Sequence, residues 1–373
     1  MRRAKLKNAE KIVIKLGTRL LTYSTGKLNL SYIEKIVRQI ADLKNQDKKI
    51  ILVSSGAVGA GIGKLGIKKK GLTIPERQAM AAIGQGLIIQ FYEKIFAEYG
   101  YTVAQILLTR LDFENRKRFI NAHNTFEFLL NYDVIPIVNE NDTVSTEEIE
   151  LGDNDQLSAL VASLIDADLL INLTDTEGLY DSNPALNPKA KLIPLVSELS
   201  PDIKKLAGET NDSLSTGGMI TKLLAAEIAL SSGIDMVIAN GQKQNVLQRL
   251  LDGEEIGTFF SSSSSQMKSR KKWIAFGQTV KGIIVIDEGA EKAIMEHGKS
   301  LLPIGIIEVS GSFSKGETVS ICTKDGNELA RGLVNYSSEE LQLIKGKKTQ
   351  DIEDILGYCY ADEIIHRNNM VIY

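Results

Sequence analysis

Hydrophobic residues in the first two thirds of the chain occur in short continuous runs and in runs spaced every three or four residues. Continuous runs predict buried strands, and spaced runs predict helices. Strands are predicted at 11–15, 49–54, 102–108, 134–138, 169–173 and 236–239. Helices are predicted from Ser31, with Glu34 in a capping box, from Pro75 towards Tyr99, and at 113–131, 155–165, 218–231 and 245–251. This alternation predicts an α/β fold, a three-layer αβα sandwich around a mostly parallel sheet.

The hydrophobic pattern changes near residue 259. Five consecutive serines, Ser261 to Ser265, indicate a flexible linker, which we place at 259–271. Short β-rich runs separated by glycine turns follow at 282–285, 305–309, 318–321 and 333–335. The sequence therefore predicts one domain over 1–258 and a small β-rich, barrel-like domain over 272–373, in keeping with a chain too long for a single core.

Composition and charge limit the class of protein. The chain has 373 residues and a formal net charge of −3, which argues against a dominant nucleic-acid or anionic-membrane role. Its start lacks the apolar core of a signal peptide, and no run is long enough to cross a bilayer. Cys322 and Cys359 fit no metal or disulfide spacing and indicate free thiols in a reducing cytosol. We therefore expect a cytoplasmic globular protein.

Two familiar phosphate-binding patterns are excluded. The Walker A spacing is absent, because Gly63-Lys64 has Val58 where a glycine is required. Gly61, Gly63 and Gly66 match the dinucleotide pattern by letter, but they begin several residues after the strand rather than at its end.

Two other segments at strand ends are candidates for binding phosphate. Lys15, followed by a Gly17 turn, could direct its ammonium at a phosphate over the sheet edge, or it could be a solvated strand-end lysine. The small residues of 54–61 let a ligand approach the backbone closely, although a plain strand–turn–helix connection has the same pattern.

Polar residues cluster at two later positions. Residues 139–142 end one strand and 153–155 open the next helix, with an acidic loop between them. Carboxylates and amides there could hold a substrate ammonium or carboxylate; the alternatives are helix capping or a calcium site, although EF-hand spacing is absent. Residues 174–178 follow another strand, and 215–218 lead into a helix carrying Lys222. Bare N–H groups at that helix start suit an anion, although a flexible loop with an exposed lysine explains the pattern equally well.

Six segments carry a resemblance to a known family: VIKLGT, LVSSGAVGAG, PIVNEND, LGDNDQLSA, LTDTEGLY and STGGMITK. Together and in this order they resemble the amino acid kinase family and, within it, the members that phosphorylate the side chain of glutamate. The resemblance covers residues 12–222. The C-terminal domain resembles the PUA domain that many of these kinases carry.

The resemblance implies an enzyme that converts L-glutamate and ATP to L-glutamyl 5-phosphate and ADP, the first step of proline biosynthesis. It implies Mg²⁺ with ATP as co-substrate, feedback inhibition by proline, and a homo-oligomer, either dimer or tetramer. It implies that Lys15 and Lys222 contact the transferring phosphoryl group and that Asp155 orients them. Glutamate would be held by Ser55, Asn139, Asp142 and Asn154. ATP would be held by Lys15, Thr174, Asp175, Thr216, Gly217, Gly218, Met219, Ile220, Thr221 and Lys222.

Two alternatives remain open from the sequence. PUA domains bind RNA elsewhere, so an RNA-binding protein is the alternative from another class; however, residues 270–373 carry no basic surplus, and Lys345, Lys347 and Lys348 are typical of a solvated loop. Among kinases, the alternatives act on acetylglutamate, aspartate or UMP. Those would lack the VNEND and GDND pair and this C-terminal domain.

Overall fold

The computed structural model describes residues 2–67, 71–144, 154–184, 186–208, 218–262 and 279–373. The chain divides into two compact units, Met1–Asp112 with Ile120–Gln266, and Phe113–Phe119 with Met267–Tyr373. Within the described ranges, no helix is both long and apolar enough to cross a lipid bilayer.

Strands and helices alternate up to residue 262. The strands are β1 (Lys11–Leu16), β2 (Lys49–Val53), β3 (Val103–Leu108), β4 (Ile135–Glu140), β5 (Leu169–Thr174), β6 (Leu195–Val196), β7 (Asp235–Asn240) and β8 (Thr258–Phe260). The helices are α1 (Thr18–Leu21), α2 (Leu30–Lys44), α3 (Ala57–Leu65), α4 (Ile74–Ala97), α5 (Arg110–Glu114), α6 (Arg116–Asn131), α7 (Asn154–Leu164), α8 (Pro201–Gly208), α9 (Met219–Ser231) and α10 (Val246–Leu251). A 3₁₀ helix, Arg2–Asn8, precedes β1.

The first sheet has the strand order β3-β4-β2-β1-β5-β7-β8-β6 and is parallel except where β7 meets β8. One face of β5 presents Leu169, Ile171 and Leu173 to a core shared with α2. The other face presents Asn172 to Asp155 of α7. Helices therefore cover both faces, which confirms the predicted three-layer sandwich.

Helices α3 and α4 pack backbone against backbone. A Cβ atom on Gly61 would lie 2.0 Å from the Met80 carbonyl oxygen, and one on Gly84 would lie 1.8 Å from that of Ala57. Both distances are far inside van der Waals contact, so any side chain at either glycine would force the helices apart. This packing holds α3 where β2 ends.

Two helix predictions were wrong in detail. The N-cap of α2 is Asn29, whose side chain accepts from the Tyr32 amide, and not Ser31, which already lies inside the helix. The predicted helix at 113–131 is two helices, α5 and α6, with Asn115 between them accepting from the Arg118 amide. In both places an asparagine side chain near the first turn satisfies a backbone donor that the helix leaves without a partner.

The predicted linker begins too early. Phe259 and Phe260 are fully buried in β8, where they pair with β7 and β6, because their large apolar side chains complete the edge of the first sheet. Most of the serine run lies outside the described residues, as does the rest of the linker up to 271. The assignment of the two domains stays a prediction.

Residues 279–373 form a second sheet with its own core. Its strands are β9 (Gly282–Ile286), β10 (Ile306–Gly311), β11 (Thr318–Cys322), β12 (Glu328–Leu333) and β13 (Met370–Ile372). Their order in the sheet is β10-β9-β11-β12-β13, with β9 parallel to β11. The predicted strand at 333–335 is wrong, because β12 ends at Leu333. Three helices of this unit were not predicted: α11 (Glu288–Met295), α12 (Ser338–Ile344) and α13 (Ile352–Leu356).

Candidate active site

The carboxyl ends of the parallel strands β1, β2, β4 and β5 lie at one edge of the sheet. Lys15 lies near the end of β1, where it is the Cα partner of Val53 in β2 and of Asn172 in β5. Ligands of open parallel sheets bind at this edge, because the loops that leave the strands open there. Six of the predicted site residues that the structure describes lie at or just after the ends of these strands: Lys15, Ser55, Asn139, Asp142, Thr174 and Asp175.

Asp155, in the first turn of α7, contacts both candidate phosphoryl-binding lysines. Its Oδ1 accepts from Lys15 Nζ, and its Oδ2 accepts from Lys222 Nζ at 3.0 Å. Two neutral groups also donate hydrogen bonds to this carboxylate: Asn172 Nδ2 lies 2.7 Å from Oδ1, and Thr221 Oγ1 lies 2.9 Å from Oδ2. The structure thus brings together three residues that are 140 and 67 positions apart in sequence.

These three charged side chains are buried. Asp155 is 0% exposed, Lys15 3% and Lys222 6%. Burying charge is costly unless the charges are paired and hydrogen-bonded, as they are here. Among the described residues, two ammonium groups share one carboxylate, and two lysines placed together are suited to an anion such as a phosphoryl group.

A second polar cluster surrounds Asn154, the residue before Asp155. Asn154 Nδ2 donates to the Ser54 carbonyl and to Asn139 Oδ1 at 2.6 Å, and lies 3.2 Å from Ser55 Oγ. Asn139 Nδ2 is buried and has no hydrogen-bond partner among the described residues. A buried amide donor whose partner is not among the described residues is suited to bind a carboxylate.

Two supporting contacts hold the strand ends beside this cluster. The Tyr92 hydroxyl, on α4, lies 3.1 Å from Ser54 Oγ, and burial raises the pKa of this tyrosine, so it remains neutral. Gln85, also on α4, donates to the carbonyl of Glu140 at 3.2 Å. Helix α4 therefore supports the ends of both β2 and β4.

Asp142 lies in the turn that follows β4 and is partly exposed. Asp142 is therefore three residues after Asn139 of the second cluster. The acidic loop that follows, including Glu147, Glu148 and Glu150, lies outside the described residues.

The predicted ATP residues fall in two places. Thr174 ends β5 and donates to Asp175 Oδ1 at 3.1 Å, and Arg19 donates to Asp175 Oδ2 at 3.0 Å. Burial raises the pKa of Asp175, but hydrogen bonding and the charge of Arg19 outweigh it and leave that pKa below its usual value. Gly218 is the N-cap of α9, and Met219, Ile220 and Thr221 form its first turn. Thr216 and Gly217 lie outside the described residues.

Sequence reasoning missed two residues that touch the site. Arg19 lies four positions after Lys15, and its charge next to the KLGT string was an available signal. Asn172 is the one polar residue in the segment LLIN that precedes LTD. A strand buried on both faces is normally apolar throughout, so this asparagine was an available signal. Neither matched a motif, so neither was assigned a role.

Comparison with known proteins identifies two family matches. A model of the amino acid kinase family matches residues 10–240, and a model of the PUA domain matches residues 282–356. The second match confirms that the C-terminal domain is PUA-like.

The chain is similar over its length to several curated proteins. It is 55% identical to glutamate 5-kinase of Caldanaerobacter subterraneus subsp. tengcongensis, with 97% of each chain covered. It is 50% identical to glutamate 5-kinase of Moorella thermoacetica, with 99% of this chain and 98% of that one covered. Among solved structures, UMP kinase from Bacillus anthracis aligns with a TM-score of 0.48 at 15% identity, covering 70% of this chain and 99% of that one.

Proposed function

The chain belongs to the amino acid kinase family, and we propose that it transfers the γ-phosphoryl group of ATP to the side-chain carboxylate of L-glutamate. The products would be L-glutamyl 5-phosphate and ADP. The observation that carries the proposal is the buried Asp155 shared by Lys15 and Lys222, beside the polar cluster around Asn154. The similarity of the chain to glutamate 5-kinases supports glutamate as the substrate.

The chemistry needs charge compensation more than it needs a base. A glutamate side chain has a pKa of about 4.3, so its carboxylate is already ionised and nucleophilic at neutral pH. The barrier is the approach of one anion to another. Lys15 and Lys222 would offset that repulsion, and their shared carboxylate would hold them at a fixed separation before the substrates arrive.

The second cluster would hold glutamate. Asn139 has a buried amide donor without a partner among the described residues, and it would donate to a substrate carboxylate. Asp142, partly exposed in the turn after β4, would accept from the substrate ammonium. Ser55 and Asn154 would complete this side of the site. Because Asn154 precedes Asp155 directly, the bound glutamate would lie beside the lysines.

ATP would lie at the ends of β5 and α9. Thr174 and Asp175 would contact the nucleotide, and the first-turn N–H groups of α9, from Gly218 onward, would face its phosphates. ATP would enter as its Mg²⁺ complex. Within the described ranges, no group of three or more His, Cys, Asp or Glu residues is arranged to hold a metal.

The proposal includes a place in metabolism and a regulator. Glutamyl phosphate formation would be the first step of proline biosynthesis, and proline would inhibit it by feedback. We further propose a homo-oligomer, either dimer or tetramer, and a cytoplasmic location. RNA binding is not proposed for the PUA-like domain, because its sequence carries no basic surplus.

A hydroxamate assay tests the proposed reaction directly. Hydroxylamine traps an acyl phosphate, so parallel reactions with glutamate, N-acetylglutamate and aspartate identify both the acceptor and the bond formed. We expect ATP-dependent product with glutamate and little with the other two acids. Product with N-acetylglutamate or aspartate instead of glutamate would contradict the proposal, and UMP-dependent ADP release would favour a nucleotide acceptor.

A further inference from the structure

Asn172 is a polar residue in a strand that is otherwise apolar around it. Its neighbours in β5, Leu170, Ile171 and Leu173, are fully buried, and so is Asn172. Strands inside a parallel sheet are normally apolar, because helices cover both faces. An amide in this position is costly unless both of its polar atoms are hydrogen-bonded. Packing alone therefore does not explain Asn172.

Only one half of the Asn172 amide has a hydrogen-bond partner in the described part of the chain. Its Nδ2 donates to Asp155 Oδ1 at 2.7 Å, whereas its Oδ1 is buried without a partner there. An ionised carboxylate accepts and does not donate, so the nitrogen must face Asp155 and the oxygen must face away. A buried group that stays unsatisfied in this way commonly marks a functional constraint. The constraint here is the donor to Asp155.

Four donors in the described part of the chain contact Asp155, two at each carboxylate oxygen. Oδ1 takes the ammonium of Lys15 and the amide of Asn172, and Oδ2 takes the ammonium of Lys222 and the hydroxyl of Thr221. Lys15 and Asn172 are Cα partners on adjacent strands, so they reach the same oxygen from the same face of the sheet. Each oxygen is therefore held by one charged and one neutral donor.

A neutral donor has a role that a third charge could not fill. It restrains the rotation of the carboxylate without adding charge and without being drawn to a phosphoryl group. When a lysine turns towards the phosphoryl group in the transition state, the neutral donor stays on Asp155 and keeps the carboxylate in place. Preorganisation of this kind stabilises the transition state more than it stabilises bound substrates.

We propose that Asn172 is a positioning residue for phosphoryl transfer, which fixes the carboxylate of Asp155 and through it the separation of Lys15 and Lys222. This inference rests on the proposed function. It concerns the orientation of groups that are already charged, so it predicts a defect in turnover rather than in substrate binding.

Two apolar substitutions test this role. Asn172→Leu removes the donor together with the unsatisfied oxygen, and Asn172→Ala removes both with a smaller side chain; neither adds a second carboxylate beside Asp155. Ser232→Ala is the matched control, because it removes a buried hydroxyl that donates to Ser163 at 3.0 Å and, among the described residues, makes no hydrogen bond to the lysine cluster. For each protein, kcat, the KM for glutamate, the KM for ATP and the thermal midpoint are measured with the hydroxamate assay and calorimetry.

We expect both Asn172 variants to lose about 10-fold in kcat, the effect of one hydrogen bond to a charged group, with both KM values within about twofold of wild type. The midpoint of Asn172→Leu should not fall, because the unsatisfied oxygen is gone, and Ser232→Ala should keep its kcat. Should Asn172→Leu fail to fold, Asn172→Ala tests the same loss of the donor. Unchanged kcat in folded variants, or a kcat loss that only follows a lower midpoint, would overturn this inference alone. A wild-type chain without glutamate-dependent product would overturn the proposed function and this inference with it.

Discussion

Asn154 and Asp155 are consecutive residues, yet their side chains belong to different halves of the candidate site. Asn154 donates to the Ser54 carbonyl and to Asn139, on the proposed glutamate side. Asp155 accepts from the two lysines, on the proposed phosphoryl side. Successive residues in the first turn of a helix point about 100° apart, which allows one helix start to serve both halves. The same two-residue stretch of backbone would therefore position the proposed glutamate side and the carboxylate between the two lysines.

The first prediction concerns Lys222. Lys222→Ala should lower kcat by about 10²–10³-fold and change the KM for glutamate little, because the lost ammonium acts chiefly on the charge that develops during transfer. Steady-state kinetics with varied glutamate measures both constants. Lys204→Ala is the control, since Lys204 is an exposed lysine paired with Glu227, and its kcat should not change. An unaltered kcat with a raised KM for glutamate would assign Lys222 to substrate binding instead.

The second prediction concerns Asp142. Asp142→Ala should raise the KM for glutamate by about 10-fold or more, the effect of losing a charged partner of the substrate ammonium, and leave the KM for ATP nearly unchanged. Varying each substrate at saturating concentrations of the other separates the two constants. Asp202→Ala is the control, because Asp202 is a highly exposed aspartate on α8. The role fails if the KM for glutamate stays at its wild-type value.

The third prediction concerns proline. Proline shares the α-amino acid portion of glutamate, so we expect it to inhibit at a site that overlaps the glutamate side. Its apparent inhibition constant should then rise linearly with the glutamate concentration and not depend on ATP. Initial rates over a grid of proline and glutamate concentrations test this. Inhibition that is independent of glutamate would place the proline site elsewhere, and the absence of inhibition would remove feedback from the proposal.

The fourth prediction concerns Arg3, outside the site. Its guanidinium donates to the backbone carbonyls of Pro194, Glu254, Ile256 and Gly257 at 2.6–2.8 Å. Arg3→Met should lower the stability of the first unit by about 2–4 kcal/mol, because carbonyls would be left buried without a donor. Denaturant unfolding measures the change.

An arginine exposed on a helix provides the control for this effect. Arg38→Met changes the same residue type on the exposed face of α2 and should leave the unfolding midpoint unchanged. The kcat of folded Arg3→Met should match that of wild type. Equal midpoints for Arg3→Met and Arg38→Met would show that the four bonds contribute no net stability.

The fifth prediction concerns the pH dependence of the Arg19–Asp175 pair. The pKa of Asp175 is lowered in the folded chain, so this carboxyl stabilises the fold above its unfolded pKa of about 3.9. That contribution is lost as the pH falls through the lower folded value. Arg19→Gln should raise the pKa of Asp175, and the difference in thermal midpoint from wild type should vanish in strong acid. Carboxyl NMR titration checks the first result, with Glu177 as an internal reference that should not shift.

The fold was predictable where pattern and geometry agree. Continuous apolar runs such as 49–54 require a sheet covered on both faces, and the carboxyl ends of parallel strands must meet at one edge. From these two facts alone, Lys15 and the residues after β4 and β5 belong at the same place. The burial of Lys15 and Lys222 was not predictable, because it depends on Asp155 reaching both from a helix on one face of the sheet.

The errors came from places where tertiary contacts outweigh local preference. Phe259 and Phe260 adjoin a serine run, and only pairing with β7 and β6 makes them a strand. Ser31 satisfies the letters of a capping box, but Asn29 lies at the actual helix start. Asn172 matched no motif because its contact with Asp155 joins residues 17 positions apart across two elements.

The contact between α3 and α4 limits how the segment that carries Ser55 can move. At Gly61 and at Gly84 the backbone of one helix lies directly against the backbone of the other, so no side chain separates the helices at these points. They must therefore separate completely or move together as one cooperative unit. Amide hydrogen exchange in the two helices should then report a single opening event. Any movement of the segment that contains Ser55 would require α4 to move as well.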